Sequence, residues 1–453
     1  MDWNRFCCAL AVAALCSVGA VAAGAATSDE ERAREDRIRA LERKVEVLTE
    51  ELERTRSDLT LPEPAELESA HGLGPGASRI YGLARGLSLG GYAEGLYTAI
   101  VDNKKSSGEK NRADFLRGVL YAGYKFTDHI LYNMEVEFEH ATTGSTETSS
   151  GGSVSVEFAA LDFLWKPELN GRIGLVLLPM GYLNEVHEPP FYYGTHRPET
   201  ETRIIPSTWR ENGVGLFGNL AEQIDYKLFV VNGFNARGFD SSGLRDGRQK
   251  GNRALAEDLA FVGRLDWNPL PELSVGGSVY VGNSGQDQDF AVASGQVSLP
   301  DTLTTVWEVH GQMRSQGLFL RGLFAMAHVS DAGDLSRALG PTASGGIGEL
   351  AAGEAVASQM IGGYAEIAYE VLQWLAPDTD MTLEPFLRYE HVDTQQNVPS
   401  GFASNGKQDV QTITAGLQYQ PIPNVVIKLD YRNRRPDSGA LGDEINAGFG
   451  LVF

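Results

Sequence analysis

From about residue 84 to the C-terminus the chain alternates apolar and polar residues with period 2, which restricts it to extended strands with two chemically different faces. In 132–139, Tyr132, Met134, Val136 and Phe138 share one face, and Asn133, Glu135, Glu137 and Glu139 the other. In 425–432, Val425, Ile427, Leu429 and Tyr431 oppose Lys428, Asp430 and Arg432, and in 261–267, Phe261, Leu265 and Trp267 oppose Arg264 and Asp266. Sixteen such segments begin near residues 87, 113, 130, 153, 172, 213, 224, 257, 272, 303, 317, 359, 381, 409, 424 and 445. Short connections with Pro, Asp and Asn turn chemistry (127–128, 220–223, 268–272, 420–424) alternate with longer polar ones, near 102–112, 141–152, 184–212, 233–256, 282–302, 330–358, 392–408 and 433–444. A soluble sandwich would leave its polar faces on the outside, but these faces carry too many charges for surface decoration. Tyr97, Tyr124, Tyr369, Tyr389 and Tyr431 close the apolar faces as an interfacial girdle would. The expected fold is therefore all-β: a transmembrane antiparallel β-barrel of about 16 strands, with tight turns at one end and long loops at the other.

The first 83 residues differ in kind. Residues 1–26 carry one basic residue, Arg5, an apolar run from Phe6 to Ala23, and the small-residue stretch 22–26, which is the pattern of a cleaved secretory signal peptide. Cys7, Cys8 and Cys16, the only cysteines, lie inside it, so the mature chain is expected to have no disulfide and no thiolate site. Residues 27–60 lack glycine and proline and place Ile38, Val45, Leu52 and Leu59 at heptad position a and Leu41 and Leu48 at d, with Thr55 breaking the d series. A short α-helical coiled coil is expected there, on the periplasmic side, stable only where copies meet. Pro62 and Pro64 end it, and the Gly72–Gly76 stretch marks 61–83 as a flexible linker before the barrel, 84–453.

A closed barrel of this size leaves an aqueous channel, so function depends on what narrows it. The 184–211 loop contains Pro189, Pro190, Phe191, Tyr192, Tyr193, Ile204, Ile205, Pro206 and Trp209, which predict a compact segment. Its charges, Glu185, His187, Glu188, His196, Arg197, Glu199, Glu201, Arg203, Arg210 and Glu211, include both signs, as a constriction that orients dipolar solutes requires. Strand phase assigns Glu94, Glu135, Glu137, Glu139, Asp266, Glu308, Glu366, Glu370, Glu384, Glu390 and Asp430 to the channel wall, with Arg117, Lys125, Arg264, Arg388, Lys428 and Arg432. That excess of acids predicts weak cation preference. The next loop carries Arg245, Arg248, Lys250 and Arg253, which either attract anions or lipopolysaccharide phosphates or pair with acidic loop residues.

The net charge of −22 argues against nucleic acid as a partner. There is no nucleophile elbow and no glycine-rich phosphate loop, and Phe191 stands where a zinc-protease helix starting at His187-Glu188 needs its second histidine. Neither enzymatic activity nor a metal or cofactor is expected.

With these features, the chain resembles a Gram-negative outer-membrane porin, and most closely the phosphate-selective porin O and P family. The likeness is carried by residues 90–94 (Gly-Gly-Tyr-Ala-Glu), 121–126 (Tyr-Ala-Gly-Tyr-Lys-Phe) and the 184–211 loop, whose position matches the porin loop that folds into the pore. The terminal alternation Ile445, Ala447, Phe449, Leu451 and Phe453 resembles the strand signature read by the barrel-assembly machinery, and the N-terminal helix resembles the coiled coil of sugar and dicarboxylate porins. The resemblance implies a homotrimer in the outer membrane, among its lipid and lipopolysaccharide, passing small hydrophilic solutes by passive diffusion. Phosphate selectivity is not carried over, because it relies on lumenal rows of arginine and lysine. The competing reading is a structural or adhesive envelope protein with the barrel as anchor.

Overall fold

The computed structural model describes residues 28–58, 68–145 and 150–453. The expected signal peptide and its three cysteines lie outside them. Helix α1 (Ser28–Asp58) forms a unit of its own, as its freedom from glycine and proline requires. Its seam residues Ile38, Leu41, Val45 and Leu48 are all exposed to a degree unusual for large apolar side chains. The side chains of Leu52, Thr55 and Leu59 lie outside the described residues. None of the described helices is long and apolar enough to cross a membrane.

The second unit is a closed antiparallel barrel of sixteen strands. These are β1 (Gly86–Asp102), β2 (Arg112–Thr127), β3 (Ile130–Glu139), β4 (Val154–Lys166), β5 (Leu169–Leu177), β6 (Arg210–Ala221), β7 (Ile224–Asn232) and β8 (Leu259–Leu270), followed by β9 (Leu273–Asn283), β10 (Leu303–Ser315), β11 (Leu318–Val329), β12 (Gln359–Tyr369), β13 (Thr382–Asn397), β14 (Asp409–Ile422), β15 (Val425–Pro436) and β16 (Asp443–Val452). Each pairs with its sequence neighbours, and β16 closes on β1 in the register Tyr92↔Val452 to Ile100↔Glu444. The terminal residue completes the seam: Gly91 and Phe453 exchange backbone hydrogen bonds of 2.9 Å in both directions. Gly91 sits tightly there, since a Cβ would stand 2.2 Å from the Val119 carbonyl oxygen and 2.9 Å from the Phe453 ring.

The period-2 pattern becomes an inside and an outside. Along β15, Val426, Lys428, Asp430 and Arg432 are buried while Ile427, Leu429 and Tyr431 are exposed, the reverse of a soluble barrel with an apolar core. Tyr97, Tyr124 and Tyr389 are exposed with them. Strands β6 and β16 start earlier than the alternation suggested, at Arg210 and Asp443, because the charged residues 210–211 and 443–444, which read as loop, are buried at strand ends. The 282–302 connection holds a small hairpin, Asp289–Val292 with Gly295–Ser298.

The interior corrects two expectations. Residues 70–83 are not a flexible joint. Helix α2 (Pro75–Gly82), with Pro75 at its first turn, lies against β1, β2 and β3, burying Ala77 and Ile80, and Leu73 just before it is buried too. Full burial of each leucine or isoleucine is worth about 1.5–3 kcal/mol. The glycines there permit close approach: a Cβ on Gly74 would stand 2.7 Å from the Glu188 carboxyl carbon. The second correction concerns the expected aqueous channel, which on the β5–β13 side is occupied by apolar side chains. Inward Phe229, Val231, Val262, Tyr280, Ala325, Ala327 and Val329 pack with Ile204, Ile205 and Trp209, and with Phe234, Phe239, Leu335 and Leu339 from other long loops, into a buried apolar core. Trp209 stacks on Phe234 with ring centroids 4.4 Å apart.

Candidate functional site

The segment between β5 and β6 runs inside the barrel and is held along its course by wall residues far away in sequence. Near its start, Lys227 pairs with Glu185, and the Arg264 guanidinium donates to the Gly181 carbonyl. His187 then approaches Glu135 at 3.3 Å and Glu157 at 3.7 Å. The Tyr192 hydroxyl donates to Glu94 at 2.7 Å, and Lys428 donates to the carbonyls of Tyr192 and Gly194 at 2.7 and 2.9 Å. Asp430 accepts from the Thr195 amide at 2.7 Å. The buried Arg388 ties the carbonyls of Tyr193 and His196, at 3.1 and 3.0 Å, to its own partner Glu366 at 3.1 Å. Finally Glu390 accepts from the Thr200 amide at 2.7 Å, and Arg432 meets Glu199 at 3.0 Å. The loop thus reaches β1, β3, β4, β13 and β15 before returning to β6.

Several charges expected on a constriction instead hold the loop in place. Glu201 is fully buried, accepting from the amides of Tyr182 and Leu183 at 2.7 Å each and from the Tyr364 hydroxyl at 2.6 Å, so it fastens the loop to itself and to β12. Glu188 accepts from the Gly76 amide at 2.9 Å and joins loop to α2, and burial pushes its carboxyl up to about 7. Arg210, the first residue of β6, pairs with Glu157 at 2.7 Å. Arg203 donates to Thr394 and Gln408. His196, Arg197 and Glu199 retain partial exposure. Partial burial, then the nearby Arg432, Arg434 and Arg388, hold the His196 imidazole well below its ordinary value.

Two residues of the basic loop have a role that neither reading offered for it included. Arg248 donates to the carbonyls of Pro206 and Thr208 at 2.9 and 3.1 Å, and Arg245 to those of Thr202 and Ser207. They grip the backbone of the inserted loop, because a buried strand of carbonyls with no ladder partner needs donors. Lys250 and Arg253 are exposed.

The wall residues assigned by phase face inward, some pairing with one another and others holding the inserted loop or α2. Arg117 lies 2.9 Å from Glu94 and 3.5 Å from Glu137, and Arg264 lies 2.7 Å from Asp266. Lys125 donates to the Tyr81 and Leu83 carbonyls at 3.1 and 2.6 Å, and so serves α2. Glu139, Glu370 and Glu384 lie at strand ends, Glu384 with Arg314 at 2.8 Å. Sequence reasoning missed His310, which bridges Asp266 and Glu308 at 2.9 and 2.8 Å, although it stands two residues from Glu308 on the same face. It also missed Glu157 and the Asp162–Arg172 pair at 2.7 Å. Between the inserted loop and the short-turn rim, a cavity of ≈ 1190 Å³ remains, lined by Glu185, Lys227, Asp266, Arg314, Arg321 and Glu384 among others.

A protein of Aquifex aeolicus (strain VF5), described as an uncharacterized protein, is 35% identical to this chain over 379 residues, covering 83% of this chain and 81% of the relative. The chain belongs to the family of that protein. No family model matches it. Among solved structures, the outer membrane channel DcaP of Acinetobacter baumannii aligns with a TM-score of 0.51 at 14% identity, over 82% of this chain and 98% of that one. Salmonella typhi OmpF, solved in complex with daunomycin, aligns with a TM-score of 0.52 at 12% identity over the same shares. At these identities the likeness is one of fold, and it places the family on the architecture of the Gram-negative outer-membrane porins.

Proposed function

We propose that this member of the Aquifex protein's family is an outer-membrane channel through which small hydrophilic solutes or ions diffuse passively, narrowed by the inserted 184–211 loop. The observation that carries the reading is the charge-lined cavity of ≈ 1190 Å³ inside a barrel whose outer surface is apolar, since a barrel serving only as anchor has no need of a wetted interior. A weak cation preference follows from the carboxylate excess on the wall, reduced by internal pairing. Likeness to the porin O and P family rests on the motifs at 90–94, 121–126 and 184–211, and the acidic wall argues against phosphate as the solute. The exposed heptad seam of α1 supports a periplasmic trimeric coiled coil, and the paired Phe453 supports recognition by the assembly machinery. Liposomes carrying the folded protein should swell in isosmotic solutions of small sugars or salts at a rate that falls with solute size. Liposomes that fail to swell with correctly folded protein would contradict the channel.

The buried apolar core of Trp209, Phe234 and Tyr280 favours a second reading, in which the barrel is an envelope anchor and its long-loop side is closed. That reading predicts no solute flux, and undiminished binding of the protein to isolated peptidoglycan when the lumenal charges are replaced.

A further inference from the structure

Glu135 on β3, Glu157 on β4 and His187 on the inserted loop converge in the wall of the lumen, with 0%, 1% and 2% of their surfaces exposed. The His187 Nδ1 lies 3.3 Å from the Asn184 carbonyl oxygen, which can only accept, so Nδ1 carries the hydrogen. Its Nε2 then presents a lone pair to Glu135 Oε1 at 3.3 Å and Glu157 Oε2 at 3.7 Å. The opposite tautomer merely moves the clash to Nδ1 and the carbonyl. Three acceptors facing one another are repulsive unless a proton or a metal ion sits among them. The Glu157 Oε2 is buried without any hydrogen-bond partner, as is the second Glu135 oxygen. Surrounding charge does not settle the conflict: Glu94, Glu137 and Glu188 add to the two carboxylates, against Arg117, Arg197 and Arg210.

We propose that His187 Nε2, Glu135 and Glu157 bind a divalent first-row transition metal that fastens the inserted loop to β3 and β4. In a tetrahedral site with bonds of about 2.0–2.2 Å, ligand atoms stand about 3.3–3.6 Å apart; the imidazole nitrogen lies 3.3 and 3.7 Å from the two carboxylates, and one ligand atom of each residue lies within 4.8 Å of the others. One imidazole nitrogen and two carboxylate oxygens suit zinc or a neighbouring metal rather than magnesium or calcium, which prefer an all-oxygen shell. The Asn184 carbonyl supplies the outer-shell acceptor that fixes a ligating imidazole, and the Arg210 guanidinium, 2.7 Å from Glu157 Oε1, fixes the carboxylate. The partners of His187 come from two strands rather than from a second histidine four residues along a helix.

The test uses tag-free, full-length protein purified in detergent, stripped with EDTA and titrated with Zn²⁺ by calorimetry, so its readout is independent of whether the barrel conducts. One Zn²⁺ per chain is expected. H187Q and E157Q should each weaken binding at least a hundredfold, more than the loss typical of an outer-shell partner. E135Q serves where either fails to give the heat-modifiable folded band, and R253A should bind as the wild type does. A wild-type protein that takes up no Zn²⁺ overturns the proposal and leaves a proton shared between His187 and the carboxylates. So does uptake retained in the folded variants.

Discussion

Arg388 shows how the lumen wall and the inserted loop depend on one another. Its guanidinium satisfies Glu366 and two loop carbonyls while 2% exposed, so Arg388→Ala strands a buried carboxylate and releases the loop at Tyr193 and His196. The expected loss is about 3–5 kcal/mol at most, less if water enters to solvate Glu366, and Arg388→Lys should recover only part of it. Urea titration of the folded electrophoretic band measures both. At Gly74, a Cβ would collide with the Glu188 carboxyl at 2.7 Å, so Gly74→Val should expel α2 from the barrel mouth. Limited proteolysis reads this as new cleavage within 70–83, with the barrel core still protected. An unchanged digest would mean that the segment packs elsewhere.

At the scale of elements, the strands were legible because a membrane barrel inverts its faces residue by residue, and Lys428, Asp430 and Arg432 against Ile427, Leu429 and Tyr431 state that directly. What failed to show were positions apolar on both faces, such as Leu228 to Val231, where alternation vanishes because Phe229 and Val231 meet other loops inside rather than water. The Gly72–Gly76 run misled for a related reason: glycine permits both flexibility and close packing, and only the partner Glu188 decides which. The inserted loop was legible as compact from its prolines and aromatics. The roles of its charges were not, because Glu201 and Arg248 satisfy backbone groups whose positions no spacing reveals. Shortening the loop by removing 187–202 should raise single-channel conductance severalfold, and an unchanged conductance would place the narrowest point elsewhere. Removing residues 27–60 should lower the temperature at which trimers dissociate while leaving the barrel folded. A trimer melting as before would count against the coiled-coil role of α1.

For the whole molecule, an apolar exterior, a charged interior and a seam closed by Phe453 make a membrane barrel. Sixteen strands make it wide enough to conduct unless its loops fill it. The inserted loop and the buried apolar core fill part of the lumen, while the charge-lined cavity beside the short-turn rim stays open. Whether water and ions cross the remaining space is the central claim, and planar-bilayer recording of the purified, folded protein tests it most directly. The account predicts discrete conductance steps, grouped in threes, with reversal potentials in a salt gradient showing modest cation preference. A membrane that stays silent at high protein, or one with strong anion preference, would contradict it.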